Sequence, residues 1–288
     1  MENTILFSLI LATINRVYEV DEFLESMLNS KYDLKKIEII IIDQNKDYKL
    51  DKIINKYSSR IKIIHIKSKE IGLSANRNLG LIQSKGNIIC FPDDDCKYLP
   101  DTLINVEKHF NLGNYDIILG RIIDELGEDC IKKWGKIEEQ ITCKNFHSKA
   151  SSITMFIRKK SNFLYEFDSH LGAGKYFGSC EDTDFLYRMI KKKQDIWYFP
   201  DIVLYHPKGS NNFNFSKAYK YGLGFGAFCK KNLDINLIKF FILGTGWTFV
   251  RFLISIIKLD LIHSKVWIYS FGGRIRGFKE YKKVSMEK

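Results

Sequence analysis

The sequence predicts an α/β fold with a mostly parallel central sheet and flanking helices, followed by a helical C-terminal appendage. Three observations predict it. Short apolar runs alternate with amphipathic segments in the first half of the chain, polar residues follow the apolar runs, and glycines and aromatic residues become frequent after Ser210. With 288 residues, of which 45% are hydrophobic and 27% charged, the chain can form one large domain and a smaller second one.

The apolar runs of the first half are short and continuous, as expected for buried strands. The predicted strands are Ile5–Leu11, Ile37–Ile42, Ile61–Ile66 and Asn87–Phe91, and the predicted helices between them are Val20–Leu28, Leu50–Tyr57 and Asn76–Ser84. Strands that alternate with helices of this length indicate βαβ units, and therefore a parallel sheet with right-handed crossovers.

The pattern is looser after Asp116. The sequence predicts strands at Ile117–Ile123 and Ile153–Arg158, a helix at Asp182–Ile190, and a loop region at residues 124–150 that could move. The change of composition after Ser210 predicts two domains, residues 1–212 and residues 213–288.

Polar side chains stand directly after several of the predicted strands. They are Thr13, Asn15 and Arg16 after the first strand, Asp43 after the second, and Asp93, Asp94 and Asp95 after the fourth. In open parallel sheets, ligands bind beyond the carboxyl ends of the strands. These residues are therefore predicted to share one site.

The acidic triplet Asp93–Asp95 is the strongest candidate for a metal site. Three adjacent carboxylates repel one another, so clustering them at a strand end requires a compensating cation. Mg²⁺ or Mn²⁺ would supply it, with a few protein carboxylates and with phosphate and water in the remaining positions. The alternative is a solvated turn, because aspartate is common in turns.

A second acidic group, Glu181 and Asp182, opens the predicted helix after a glycine-rich approach at residues 172–178. Ser179 and Asp182 fit a capping box, and Asp184 and Arg188 have the spacing of an i,i+4 ion pair. We therefore assign Asp184 a structural role and keep Glu181 and Asp182 as candidate site residues.

Histidine contributes one further candidate. His206 follows the apolar segment Ile202–Tyr205, although an isolated histidine is more often structural than a ligand. The other five histidines, His65 among them, belong to no cluster in the sequence.

Taken in order, these residues resemble the inverting family 2 glycosyltransferases, which have the Rossmann-like GT-A fold and are chiefly bacterial enzymes of surface-polysaccharide synthesis. The elements that carry the resemblance are Ala12-Thr13-Ile14-Asn15-Arg16, Asp43, Ala75-Asn76-Arg77-Asn78-Leu79-Gly80, the Asp93-x-Asp95 pair before Pro100, Glu181-Asp182 and His206. The resemblance covers residues 5 to 210. Each element alone is weak evidence for this family, but six of them in the family's order are specific evidence.

The resemblance implies a role for each matched residue. The nucleotide base and ribose would be held by Thr13, Asn15, Arg16 and Asp43, and Asp93 and Asp94 would contact ribose or support the site. Asp95 would bind the metal, His206 would complete the metal or diphosphate contacts, and Arg77 would lie near the diphosphate. On the acceptor side, Asp182 would be the catalytic base and Glu181 would orient the acceptor. Ile14 departs from the pattern, since the family often has an aromatic residue there. This leaves the stacking partner of the base open.

The expected function is metal-dependent, inverting transfer of a sugar from a nucleotide diphosphate, with a UDP-sugar favoured, to a saccharide or lipid-linked saccharide in bacterial cell-surface polysaccharide synthesis. A GT-A-like nucleotidyltransferase is an alternative, but it usually needs a glycine-rich loop after the first strand, and residues 12–16 contain no glycine. The net charge of +11 also allows a nucleic-acid-binding protein, yet no recognisable motif of that class is present, so no nucleic-acid partner is expected.

The six scattered cysteines lack metal-binding spacing, and the N-terminus lacks the basic region of a signal peptide, so a reduced, cytoplasmic protein is expected.

In the C-terminal region, the apolar stretch Leu237–Ile257 carries Lys239 and Arg251, which does not suit a membrane-spanning helix. Two interpretations stay open. The helix lies in an anionic membrane interface at the inner face of the plasma membrane, or it caps the catalytic domain.

Overall fold

The computed structural model describes residues 6–161, 164–209 and 214–282. The predicted mixed α/β fold is confirmed. The strands are β1 Phe7–Thr13, β2 Ile37–Asp43, β3 Lys62–Lys67, β4 Ile88–Cys90, β5 Lys97–Tyr98, β6 Ile117–Ile123, β7 Glu139–Gln140, β8 Met155–Arg158 and β9 Ile196–Tyr205. The helices are α1 Val17–Leu28, α2 Asp51–Tyr57, α3 Leu73–Gln83, α4 Thr102–Leu112, α5 Phe146–Lys149, α6 Glu181–Lys191, α7 Phe215–Lys231, α8 Ile235–Ile257 and α9 Leu261–Glu280.

The chain divides into two compact units. The first, here called the sheet unit, comprises Met1–Glu166 and Met189–Gly209, and the second, the helical unit, comprises Phe167–Arg188 and Ser210–Lys288. The segment Phe167–Arg188, which the sequence placed in a domain of residues 1–212, groups by its contacts with the C-terminal helices. It contains the start of α6, and therefore Glu181 and Asp182.

The sheet unit is built on one sheet with strand order β3-β2-β1-β4-β8-β6-β9-β5, with β7 beside β9. The strands β3, β2, β1 and β4 run parallel, as the alternation of strands and helices predicts. Every residue of β1 and β2 is buried, which explains why their sequences are mainly apolar. Two polar residues within them, Ser8 and Glu38, hydrogen-bond to each other at 2.7 Å. Thr13 pairs with Asp43, and Asp43 pairs with Lys67, so the three strands end at the same level.

The second half of the sheet is mixed. Strand β8 runs antiparallel to both β4 and β6, whereas β6 and β9 are parallel. The predicted loop region, residues 124–150, contains the short β7 and α5. Within it, the indole of Trp134 is fully buried and its Nε1 donates to the Cys130 carbonyl at 2.8 Å. The Lys149 ammonium donates to the carbonyl of Trp134 and fixes the other end of the segment.

The glycines that follow Ser210 allow α7 and α9 to pack with their backbones in contact. A Cβ atom added at Gly226 would lie 2.1 Å from the Arg274 carbonyl oxygen, and one added at Gly277 would lie 2.1 Å from the Leu223 carbonyl oxygen. No side chain fits at either position. The change in composition that predicted a separate C-terminal region therefore reflects this close helix pair.

Candidate active site

Strand pairing brings the acidic triplet next to His206. The chain leaves β4 at Cys90, passes through Asp93–Asp95, and then forms the two-residue strand β5. In the antiparallel pair of β5 and β9, Lys97 lies opposite Tyr205. His206 directly follows Tyr205, so its ring lies beside the triplet, with Nε2 3.3 Å from Oδ1 of Asp95.

Asp93, Asp95 and His206 form a candidate metal site, because their ligand atoms lie within 4.8 Å of one another. Asp95 and His206 are the two residues predicted as metal ligands. Asp93, predicted as a substrate contact, joins them. Two carboxylates and one imidazole suit Mg²⁺ or Mn²⁺, and three protein ligands leave positions for phosphate oxygens and water.

The orientation of His206 suits a metal ligand. The Nδ1–H group donates to the Pro207 carbonyl at 2.8 Å, which directs Nε2 toward Asp95. Burial lowers the pKa of His206, but the hydrogen bond and negative charge of Asp95 outweigh it and raise that pKa, while the same hydrogen bond lowers the pKa of Asp95. A metal ion bound by Asp95 and His206 would compete with a proton for the same atoms.

Asp94 is turned toward Thr13, whose Oγ1 donates to Oδ2 of Asp94 at 2.7 Å. Burial raises the pKa of Asp94 to about 6, and repulsion from Asp95 and Asp93 adds to the effect against the hydrogen bond from Thr13. The triplet thus places three carboxylates close together in a partly buried position, where they repel one another. A cation would relieve this repulsion.

Arg77 is fully buried in α3, and its Nη2 donates to Oδ1 of Asp93 at 2.7 Å. The guanidinium carbon also lies 6.0 Å from the centre of the Phe91 ring. Arg77 was predicted to lie near a diphosphate. In this structure it orients one carboxylate of the candidate metal site.

Arg16 and Asn15 follow β1 at the same edge. Arg16 forms a 2.8 Å ion pair with Glu19, and its Nη1 lies 3.5 Å from Oδ2 of Asp95. Asn15 has a φ of 58°, in the left-handed region that asparagine tolerates, and its backbone N–H donates to Oδ1 of Asn45 at 2.7 Å. Asn45 in turn donates to Asp43 from both its backbone and side-chain nitrogens, each at 2.8 Å.

Two basic side chains of β3 also contact Asp43, which is fully buried. His65 Nε2 and Lys67 Nζ each lie 3.0 Å from Oδ2 of Asp43. Burial opposes ionisation of this carboxyl, but Asn45, Lys67 and His65 together lower its pKa. Sequence reasoning missed Asn45 and Lys67 and assigned His65 to no cluster, which was wrong. The signal was the parallel register, which pairs Asp43 with Lys67 and leaves His65 two residues earlier on the same face.

The structure therefore brings together Thr13, Arg16, Arg77, Asp93, Asp94, Asp95 and His206 in the sheet unit, and links Asn15 to Asp43 through Asn45. Glu181 and Asp182 belong to the helical unit. The roles predicted for all these residues stay predictions.

In the helical unit, α6 begins at Glu181, as the acidic cluster predicts to within one residue. The predicted capping box of Ser179 and Asp182 is wrong. Ser179 Oγ instead donates to the Tyr221 carbonyl of α7 at 3.2 Å, and Cys180 turns the chain with a φ of 66°. The hydroxyl can reach α7 because Gly224 has no side chain, since a Cβ there would lie 2.3 Å from Ser179 Oγ.

A buried ion network ties the start of α6 to the end of α7. The Asp184 carboxylate is fully buried and accepts from Arg188 Nε at 2.9 Å, from Lys231 Nζ at 2.8 Å and from Asn232 Nδ2 at 2.7 Å. The Asp184–Arg188 ion pair confirms the structural role predicted for Asp184. Lys231 also lies 2.7 Å from Asp168, so one ammonium compensates two carboxylates.

We expect Lys231→Met to destabilise the protein by about 3–5 kcal/mol, because it leaves two buried carboxylates without their shared cation. Lys230→Met is the matched control, since Lys230 is an exposed neighbour on the same helix. Chemical denaturation at neutral pH compares the two variants. Equal stability of both variants would contradict the network's role.

The loss of stability caused by Lys231→Met should become smaller at low pH. Burial opposes ionisation of Asp168, but Lys231 outweighs it and lowers the pKa of Asp168. A lowered pKa stabilises the fold above the carboxyl's ordinary pKa of about 4, and this contribution is lost as the pH falls further. The difference between the wild type and Lys231→Met should therefore shrink below about pH 4.

Comparison with known proteins identifies the family of the chain. Residues 8–172 match the family described as Glycosyl transferase family 2. A Campylobacter jejuni protein named GalNAc(5)-diNAcBac-PP-undecaprenol beta-1,3-glucosyltransferase is 26% identical over 173 residues, which are 59% of this chain and 50% of that protein. The chain thus spans about half the length of this curated relative.

Solved structures share the fold. Residues 1–349 of S. aureus TarS in complex with UDP-GlcNAc match with a TM-score of 0.68 and 19% identity, covering 95% of this chain and 82% of that one. The mannosyltransferase PcManGT from Pyrobaculum calidifontis, solved with GDP-Man and Mn²⁺, matches with a TM-score of 0.64 and 13% identity, covering 96% and 88%. The fold, the order of the strand-end motifs and the family match lead to one conclusion: the chain belongs to glycosyl transferase family 2 and has the GT-A fold.

Proposed function

We propose that this glycosyltransferase moves a sugar from a nucleotide diphosphate, preferably a UDP-sugar, to an acceptor hydroxyl with inversion at the anomeric carbon and with dependence on a divalent metal. The observation that carries the proposal is the cluster of Asp93, Asp95 and His206 at the ligand edge of the sheet. The fold neighbours bound to UDP-GlcNAc and to GDP-Man with Mn²⁺ support it.

The acceptor is a saccharide or lipid-linked saccharide, and the product belongs to a bacterial cell-surface polysaccharide. Support comes from the Campylobacter relative, whose name describes an undecaprenol-linked substrate. We place the enzyme in the cytoplasm, at the inner face of the plasma membrane, where such acceptors are accessible.

Mg²⁺ or Mn²⁺ would be held by Asp95 and His206, with Asp93 as a third ligand. Such an ion supplies positive charge to a departing diphosphate and so lowers the barrier to its release. Arg77 holds the Asp93 carboxylate in place, and Arg16 adds a second positive charge beside Asp95.

The nucleoside would be held at the ends of β1 and β2. Thr13 and Asp94 are hydrogen-bonded to each other beside the metal cluster, and Asn45 links Asn15 to Asp43 by hydrogen bonds. This linked set supplies backbone and side-chain polar atoms for the base and ribose. Its hydrogen bonds fix the strand-end loops before a nucleotide binds, which lowers the cost of ordering them.

On the acceptor side, Asp182 is proposed as the general base, with Glu181 orienting the acceptor. The acceptor oxygen attacks the anomeric carbon, its proton passes to the Asp182 carboxylate, and the bond from the anomeric carbon to the diphosphate oxygen breaks. Attack from the face opposite the leaving group inverts the anomeric centre. A carboxylate in this role typically accelerates transfer by about 10²–10⁴.

A screen of nucleotide sugars tests the reaction class. We expect release of the nucleoside diphosphate from one donor in the presence of Mn²⁺ or Mg²⁺, and loss of this release with EDTA. Release of pyrophosphate would instead indicate a nucleotidyltransferase. The absence of nucleoside diphosphate release from every donor, with acceptor extracts present, would contradict the proposal.

A further inference from the structure

Helix α8 has the reverse of the polarity of a helix in a water-soluble protein. Its buried positions are Leu237, Thr245, Thr248 and Ser255, three of which are hydroxyl residues. The hydroxyls of Thr248 and Ser255 donate to carbonyls of their own helix, each at 2.8 Å. Small polar side chains thus occupy most of the buried positions. Phe240 and Phe241 pack against Phe225 and Phe278, and the large aliphatic side chains are mostly exposed.

The outward side of α8 forms a continuous apolar strip, here called the outer α8 face. It consists of Ile235, Ile238, Ile242, Phe249, Leu253 and Ile256, which are between 38% and 64% exposed. Their spacing of three, four and seven residues places them on one side of a helix. An apolar strip of this length left in water is rare on soluble proteins and usually marks a binding surface.

Exposed cations lie on α8, on α9 and in the turn between them. Lys239, Arg251, Lys258 and Lys265 are exposed, whereas the only carboxylates of residues 235–282 are those of Asp260 and Glu280. The Arg251 guanidinium lies over the rings of Trp247 and Trp267, at 5.4 and 4.8 Å from their centres. Tryptophan and arginine at the edge of an apolar face are typical of a membrane interface, and the excess of cations favours anionic lipid.

The same cations indicate how α8 meets the bilayer. It has 23 residues, and an 18-residue window within it has a mean hydropathy of 1.8, so it is long and apolar enough to cross a membrane by length and composition alone. However, the uncharged stretch between Lys239 and Arg251 is only about 17 Å long, against a hydrocarbon thickness of about 30 Å. A crossing helix would place one exposed cation within the hydrocarbon.

We propose that the outer α8 face docks on the surface of an anionic lipid bilayer, with α8 lying along the boundary between headgroups and acyl chains. The apolar strip enters the acyl region, and the exposed cations contact lipid phosphates. A second copy of the chain fits this face less well, because it would bring the two sets of cations together. This docking does not depend on the proposed reaction.

Sedimentation of the full chain with lipid vesicles tests the proposal. We expect binding to phosphatidylglycerol-containing vesicles, weaker binding to pure phosphatidylcholine, and at least tenfold weaker binding to anionic vesicles for the triple variant Ile242→Gln, Phe249→Gln and Leu253→Gln. The matched control carries Ile82→Gln, Leu112→Gln and Leu126→Gln, three residues of the sheet unit that are 78%, 72% and 76% exposed. The control should bind like the wild type.

Several results would overturn the docking proposal. These are no binding of the wild type to anionic vesicles, equal binding of both triple variants, or a lipid-free dimer that the α8 substitutions abolish while vesicle binding persists. Circular dichroism of each variant reports whether it is folded. Nucleoside diphosphate release is measured in parallel, so a failure of the proposed reaction is distinguished from a failure of lipid docking.

Discussion

Replacing Asp182 with asparagine should lower the rate of sugar transfer by about 10²–10⁴ while leaving nucleotide affinity nearly unchanged. The amide keeps the size of the side chain and can still accept the 2.6 Å hydrogen bond from the backbone N–H of Thr183, so α6 should begin at the same residue. What it loses is the ability to accept the acceptor's proton.

The measurement is steady-state transfer at saturating donor, with calorimetric titration of the nucleoside diphosphate as the binding control. Lys231→Met serves as a comparison, because it perturbs the support of α6 and should reduce thermal stability, whereas Asp182→Asn should not. An Asp182→Asn enzyme with wild-type turnover would show that another group removes the proton.

Replacing Asp95 with asparagine should abolish metal-dependent nucleotide binding and reduce transfer by at least about 10²–10³, the usual cost of removing one group that stabilises developing charge. Asp95 is predicted to bind the metal directly and is also the carboxylate that contacts His206. The substitution removes the negative charge of this ligand and replaces one of its two oxygens by an amide nitrogen, which cannot bind the metal.

Asp101→Asn is the matched control for this substitution. Asp101 is an exposed carboxylate of the sheet unit that pairs with Lys31 at 3.0 Å, and it should tolerate the amide with normal metal response. Titration of Mn²⁺ against each variant in the presence of UDP compares them. Unchanged Mn²⁺ affinity in Asp95→Asn would remove Asp95 from the metal site.

The parallel half of the sheet was predictable because its two central strands, β1 and β2, are buried along their whole length and are therefore mainly apolar in sequence. Strand β2 begins at Ile37, as predicted, and the predicted strand Ile117–Ile123 coincides with β6. The strand-end rule then selected Thr13, Asp43 and the triplet. The short strand β5 was not predictable, because the two residues Lys97 and Tyr98 have no periodicity and pair with a distant strand.

The errors have a common physical origin, which is that tertiary contacts compete with local ones. The side chain of Ser179 is of a type that caps helices, but its hydroxyl donates a hydrogen bond to the Tyr221 carbonyl of α7 instead of capping α6. His65 looked isolated because its partner Asp43 is adjacent only through the register of β2 and β3. Lys231 likewise pairs with Asp168 and Asp184, which lie far from it in sequence.

The metal cluster is the feature on which the proposed reaction depends, and a crystal grown with Mn²⁺ and UDP tests it most directly by anomalous scattering at the manganese edge. We expect one strong anomalous peak, within coordination distance of the Asp95 carboxylate and His206 Nε2 and in contact with the diphosphate. A nucleotide bound without manganese at these side chains, or a peak elsewhere on the chain, would contradict the proposed site.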